Sequence, residues 1–205
     1  MRRSALQAVA LALVAGIADA IGYLDMGGVF AANMTGNTVL AGIAAAQQDY
    51  QGTWHHLAPL AAFFSGAMIS RLMLRLTGRP TAALVAEAAL MAGVGFLPIG
   101  PEPQVLILAV AMGVQASAIT RFAGISLSTV VVTSTLARTA DGLVDWLAGS
   151  QGQALPSVER PWLLAMTWTA YLVGALAGAW LVALLAWPLL VPAVLVGLLL
   201  LVPTK

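Results

Sequence analysis

Eight apolar runs follow one another along this chain, each near the length a helix needs to cross a lipid bilayer, and that succession constrains the fold more than any motif does. The first runs from Ser4 to Leu24, the second from Met26 to Ala46, and the third from Leu57 to an arginine ladder at Arg71, Arg75 and Arg79. Pro80 opens the fourth, which reaches Leu97 before the breakers Pro98, Gly100, Pro101 and Pro103. The fifth spans Gln104 to Thr120, the sixth Phe122 to about Trp146, the seventh Pro161 to about Leu185, and the last follows Trp187-Pro188 to Lys205. Polar stretches from Gln47 to His56 and from Gly149 to Arg160 read as loops. A soluble domain carries about 25% charged residues, whereas this chain has 8% charged and 60% hydrophobic. The expected fold is an all-α integral membrane protein, a single membrane domain over residues 1–205. Met1-Arg2-Arg3 gives the first run the charged start of a signal peptide, but Asp19 and the lack of a small-residue cleavage site favour a retained helix.

The runs fall into two halves, 1–100 and 101–205, related by an internal repeat of about 97 residues. Leu13 to Gly28 lines up with Val110 to Ile125, so that Gly16 falls on Gly113 and Gly27 on Gly124; after a one-residue slip Thr35 falls on Thr133. The third and seventh runs match as well, Phe63-Phe64-Ser65-Gly66-Ala67 with Ser70 against Tyr171-Leu172-Val173-Gly174-Ala175 with Gly178. Small residues four apart let helices approach closely in lipid, within one chain or between two copies, which is the ground for an expected homodimer.

Charge decides how many runs cross. If all eight do, Arg2, Arg3, Arg138, Arg160 and Lys205 lie on one side and Arg71, Arg75, Arg79 and Arg121 on the other, a poor match to the excess of Lys and Arg on cytoplasmic flanks. If Met26 to Ala46 and Phe122 to Trp146 instead dip in and return, all nine basic residues fall inside and Asp25, Asp49 and Glu102 outside. The favoured reading is therefore six spanning helices plus two broken or re-entrant segments in inverted topology. Both termini then face the cytoplasm of a bacterial inner membrane; eight spans are the alternative.

The chemistry concentrates in Gly16 to Gly42, which holds two carboxylates, two asparagines, two threonines and six glycines between apolar runs. A carboxylate within an apolar helix must face the interior, find a partner or carry a proton, so Asp19 is either a proton acceptor or a structural acceptor for a hydroxyl or a broken-helix amide. Tyr23 stands one turn on, on the same face, to close a site or anchor at the interface. Asn33, Thr35 and Asn37, with Gly36 as a helix breaker, supply amides, hydroxyls and free backbone groups of the kind that bind ions and solutes, although Asn and Thr also glue helices together. Gln115, Ser117 and Arg121 form a second cluster, with Arg121 either meeting Asp19 across the halves or reaching the interface. Glu87 is isolated in the fourth run, as a proton relay or near the surface. Asp141 and Asp145 share a face within reach of Arg138, and His55-His56 lacks a third ligand at metal spacing.

Nearly the whole chain resembles the YoaK-like family of small bacterial inner-membrane proteins, a family of unknown function (DUF1275). The start G-x-x-D-A-x-G-Y with Asp19, Ala20 and Tyr23, then Val29-Phe30 and Asn33-Met34-Thr35-Gly36-Asn37-Thr38, carries the likeness most specifically. The resemblance implies a Gln-Asn-Ala-like stretch, an arginine and a Thr-Gly pair in the second half. Here those places read Gln115-Ala116-Ser117, Arg121 and Thr133-Ser134, which makes the first half the chemically richer one. No activity comes with the resemblance.

The expected function is a transporter or permease for a small solute, possibly proton-coupled through Asp19. The alternatives are a passive channel and a structural subunit of a membrane complex. An enzyme is disfavoured, because the membrane runs hold no Cys, His-rich, Ser-nucleophile or paired-carboxylate constellation. No cofactor or metal is expected, and with no basic patch interleaved with aromatics, no nucleic acid. The partners are the solute, membrane lipids and a possible second copy.

Overall fold

The computed structural model describes residues 3–97, 99–122 and 161–201, together with Ala140, Val144 and Leu147. Among these the chain is all helical: α1 (Arg3–Asp25), α2 (Met34–Ala46), α3 (Tyr50–Thr77), α4 (Thr81–Phe96), α5 (Pro101–Phe122), α6 (Pro161–Leu184) and α7 (Leu190–Leu200). Three of them, α1, α3 and α6, are long and apolar enough to cross a membrane. The expected re-entrant segment from Phe122 to Trp146 lies outside the described residues, apart from Phe122 and the isolated positions above.

Two boundaries differ from the sequence reading. The polar stretch from Gln47 to His56 is mostly the first turns of α3, because Asp49 caps that helix by accepting the Gly52 N–H at 2.9 Å. Likewise α5 starts at Pro101, whose missing N–H is one of the donors that a first turn leaves unpaired.

α1 is the central helix. Its Ala5 and Ala8 pack on Leu163 and Leu164, its Leu13 lies against Gly174, and Ile17 and Ala20 lie against Gly178, so α1 and α6 run parallel along their whole length. In the same way α3 and α5 run parallel, Gly66 against Val110 and Gly113 against Phe63 and Ala67. The two pairs are joined antiparallel through α1 and α5, since Gln115 bonds to Leu11 and Val105 lies beside Gly22. α4 returns along α5, with Ala83 against Val114 and Ala118, and α7 returns along α4 from a Phe96–Trp187 ring contact. α3 and α6 turn Phe64, Met68, Leu72, Leu172, Leu176 and Trp180 outward, an apolar belt that suits lipid.

Both helix pairs depend on backbone approach. At Gly16 a Cβ would run into the Tyr171 carbonyl and the Ala175 amide, and at Gly113 into the Phe63 carbonyl and the Ala67 amide. These are the same contact in the two halves, since Gly16 aligns with Gly113 and Tyr171 with Phe63. The Gly66-Ala67 and Gly174-Gly178 faces, open in the sequence to an intrachain or a dimer contact, are thus filled inside the chain.

The chain also sorts charge. Arg3, Arg71, Arg75, Arg79 and Arg121 lie on the α1-start side of the bundle, and Asp25, Asp49 and Glu102 at the opposite end. The chain turns inward from the acidic side, where His55 on α3 donates from Nε2 to the Gly27 carbonyl at 2.9 Å; α2 then starts beside Asp19 and finishes on the acidic side, where its last turn meets Gly52. At 13 residues, or about 20 Å, α2 is too short for a hydrocarbon core of about 30 Å.

The crossings predict that Gly16→Ala or Gly113→Ala lowers stability by about 1–3 kcal/mol each, because a methyl group there must push two backbones apart. Gly42→Ala, where nothing lies within 4 Å, should instead be neutral or gain about 0.5–1 kcal/mol. Thermal unfolding in detergent compares the three, and equal midpoints would show that the close approach carries no weight.

Candidate functional site

Between α1 and α2 the backbone leaves helical geometry and folds back into the bundle. Gly27 and Gly28 take positive φ of 85° and 77°, which turns the chain immediately after α1. The returning residues pass so close to α1 that a Cβ at Gly22 would strike the Val29 carbonyl. Val29, Ala31 and Ala32 are buried, and their irregular backbone needs partners that no regular ladder provides.

Side chains provide them. Asp19 is 3% exposed; its Oδ1 accepts the Ala32 N–H at 2.6 Å and the Asn33 N–H at 3.1 Å. Its Oδ2 accepts the Tyr171 hydroxyl at 2.5 Å, tying the hairpin tip to α6. Asn33 caps α2, its Oδ1 accepting the Gly36 N–H at 3.1 Å. Asn37 pairs with both backbone groups of Phe30, accepting its N–H at 3.0 Å and donating to its carbonyl at 2.7 Å, as a neighbouring strand would. Tyr23 stacks on the Phe30 ring with centroids 4.9 Å apart and stays half exposed at the acidic end. Thr35 is exposed on the first turn of α2.

The structure therefore brings together Asp19, Tyr23, Asn33, Thr35 and Asn37, and leaves the second cluster apart. Gln115 is buried two turns further down α1, where Nε2 donates to the Leu11 carbonyl at 3.1 Å. Ser117 is half buried on α5. Arg121 belongs to the last turn of α5, which the antiparallel register sets opposite the start of α1, about 20 Å along the axis from Asp19. Its side chain is outside the described residues. Thr133, Ser134, Arg138, Asp141 and Asp145 are outside them as well.

Tyr171 is the residue that sequence reasoning missed. Its place in the third-run/seventh-run alignment held a signal: the repeat sets Asp19 on Ala116 and Tyr171 on Phe63, so both members of the bond are polar in one half and apolar in the other. A paired loss of this kind is what a direct contact produces.

At the acidic end a cavity of about 560 Å³ opens between the starts of α3 and α5, lined by Asp49, Trp54, His55, Glu102, Val105 and Leu106. Through His55 and Gly27 it adjoins the mouth of the hairpin.

The Asp19–Tyr171 bond predicts coupling between distant parts of the chain. Asp19→Ala, which strips both the amides and the hydroxyl of their acceptor, should cost more than Tyr171→Phe, which removes one bond worth about 1–3 kcal/mol. In a double-mutant cycle read by thermal unfolding the two effects should be strongly non-additive. Strict additivity would mean that the bond contributes nothing.

A family model described as "Protein of unknown function (DUF1275)" matches residues 7–202. The chain is 34% identical over 140 residues to the UPF0700 transmembrane protein YoaK of Bacillus subtilis (strain 168), a match that covers 62% of this chain and only 61% of that protein. It is 29% identical over 174 residues to the UPF0700 transmembrane protein RA0705 of Rhizobium meliloti (strain 1021), covering 84% of this chain and 73% of the relative. No solved structure matches. A family match over nearly the whole chain, relatives named as transmembrane proteins and three helices of spanning length together make this a membrane protein that belongs to the DUF1275, or YoaK-like, family.

Proposed function

We propose that the protein is a multi-pass transporter of the bacterial inner membrane that moves a small solute, built from two inverted halves, residues 1–100 and 101–205. The observation that carries this reading is the inward-folded hairpin from Gly27 to Asn33, with Val29, Ala31 and Ala32 buried and its tip anchored on Asp19. Non-helical backbone at membrane depth is tolerated only where protein buries it or where it lines a cavity, and transporters with inverted repeats put their solute sites at such breaks. The inverted arrangement is supported by the antiparallel run of α1 and α5 and by the equivalent glycine contacts at Gly16 and Gly113. The return of α2 to the side on which α1 ended, where Ala44 meets Gly52 in the first turn of α3, supports six crossings rather than eight.

In this reading the cavity at the acidic end is the entry vestibule, and the hairpin with Asn33, Thr35 and Asn37 is the element the solute meets. Asp25, Asp49 and Glu102 give the entry side a negative potential, which favours a neutral or cationic solute over an anionic one. The basic end, with both termini, faces the cytoplasm.

Two measurements test the proposal. Single cysteines at Ser4, Gln48, Thr81 and Lys205 in this cysteine-free chain are treated with an impermeant maleimide on intact cells, and only Gln48 should be labelled. Labelling at Thr81 from outside would overturn the six-span topology. Proteoliposomes holding a pH-sensitive dye are then offered polyols, amino acids, amines and monocarboxylates singly. Protein-dependent uptake that moves the internal pH marks a proton-coupled carrier, uptake without a pH change marks a passive channel, and no uptake of any class counts against transport. Asn37→Ala, which strips Phe30 of two partners, should reduce the uptake, each lost bond costing about 1–3 kcal/mol.

A further inference from the structure

Among the described residues Glu87 is the second buried carboxylate, and its surroundings are the opposite of those of Asp19. It is 0% exposed, and neither oxygen has a hydrogen-bond partner among the described residues. It stands on the buried stripe of α4, with Ala83 and Leu84 below and Met91 and Val94 above. Leu84, Met91 and Val94 pack in one core with Leu108, Ala111 and Met112 of α5 and Val196 of α7. Because Ala83 lies against Val114 and Ala118 on the antiparallel α5, Glu87 comes level with the turn that ends at Gln115. There Gln115 Oε1 is likewise buried without a partner. Three buried oxygens with no donor among the described residues, two on Glu87 and one on Gln115, thus lie within about one helical turn of each other along the bundle.

An ionised, unpartnered carboxylate in such a core is costly, because nothing replaces the water that solvates its charge. Among the described residues the charged groups on the packed neighbours do not supply a counter-ion: α7 has none, α5 has Glu102 and Arg121 at its two ends, α3 has His55 and His56 near one end and Arg71 and Arg75 toward the other, and Arg79 lies in the turn before α4. No described group offsets the cost of ionising Glu87, so a charged state there requires water or an arginine to reach it.

Resting on the transport reading above, we propose that Glu87, and not Asp19, is the group that takes up and releases the coupling proton. Asp19 is committed to two backbone amides through Oδ1 and to a tyrosine hydroxyl through Oδ2, so moving a proton on and off it would weaken or reverse bonds that hold the hairpin tip. Glu87 has no such duty. Its cycle is the breaking of the carboxyl O–H bond with transfer of the proton to water on one side, and its reformation with a proton from water on the other.

The test begins with the purified full chain, independently of any solute. Infrared spectra at neutral pH should show the C=O stretch of a protonated carboxylic acid in the wild type and in Asp19→Asn, and lose it in Glu87→Gln. A band that survives Glu87→Gln unchanged overturns the proposal whatever the protein transports. In proteoliposomes, proton entry driven by a potassium diffusion potential and read by the internal dye should be lost in Glu87→Gln. Proton entry at the wild-type rate in that variant would remove Glu87 from coupling while leaving transport standing; silence of the wild type beside measurable solute uptake would overturn the coupling role, and silence in both assays would strike at the transport reading. Glu87→Leu guards against misfolding, because an apolar side chain in this core should unfold no earlier than the wild type. A stable Glu87→Leu protein that still conducts protons would also overturn the proposal.

Discussion

The satisfaction of buried backbone groups by one carboxylate is the constraint on which the rest of the bundle depends. In hydrocarbon an unpaired amide cannot turn to water, so a chain that folds back into a membrane protein must bring its own acceptors. Asp19 meets that need for Ala32 and Asn33, Asn33 caps the helix that follows, and Asn37 completes Phe30. Remove the carboxylate and the hairpin has donors with no acceptor in the most buried part of α1. The Tyr171 hydroxyl uses the remaining oxygen and fixes the tip to a helix 152 residues away in sequence.

That bond works only because α1 and α6 run backbone to backbone. Gly16 and Gly174 remove the side chains that would hold the helices apart, and the short distance lets a tyrosine on one reach an aspartate on the other. The same glycine geometry recurs between α3 and α5, so α1 with α6 and α3 with α5 pack as equivalent pairs. Packing of this kind replaces the hydrophobic drive that lipid cannot supply between helices.

The two halves nonetheless differ in chemistry. Where the first crossing carries Asp19 and Tyr171, the second carries Ala116 and Phe63, and two apolar side chains there demand nothing of their surroundings. Two further buried polar groups, Gln115 and Glu87, sit on α5 and α4 and leave oxygens unpaired among the described residues. A buried bond that is complete stiffens the bundle, whereas one that is missing marks a place where a proton, water or a moved helix has a role. The anchored carboxylate and the idle one are thus suited to different work.

Much of this was readable in the chain. The apolar runs, the sparse charge and their one-sided arrangement determine a membrane protein, since the cost of burying charge acts on every residue locally. The cluster from Gly16 to Gly42 marks the break, and the alignment of Gly16 with Gly113 and of Gly66 with Gly174 marks the equivalent contacts. Only the tertiary structure decided which partners these residues find. Asp19 was open between proton carrier and structural acceptor until Ala32, Asn33 and Tyr171 came within bonding distance; Arg121, a possible partner, belongs to the opposite end of the bundle. The small-residue faces were open between an intrachain and an intermolecular contact until α1 and α5 filled them. Local pattern reports what a residue cannot tolerate, namely water for Leu or hydrocarbon for an ionised Asp. The identity of what relieves it depends on which distant helix arrives beside it, and that is set by packing of the whole chain.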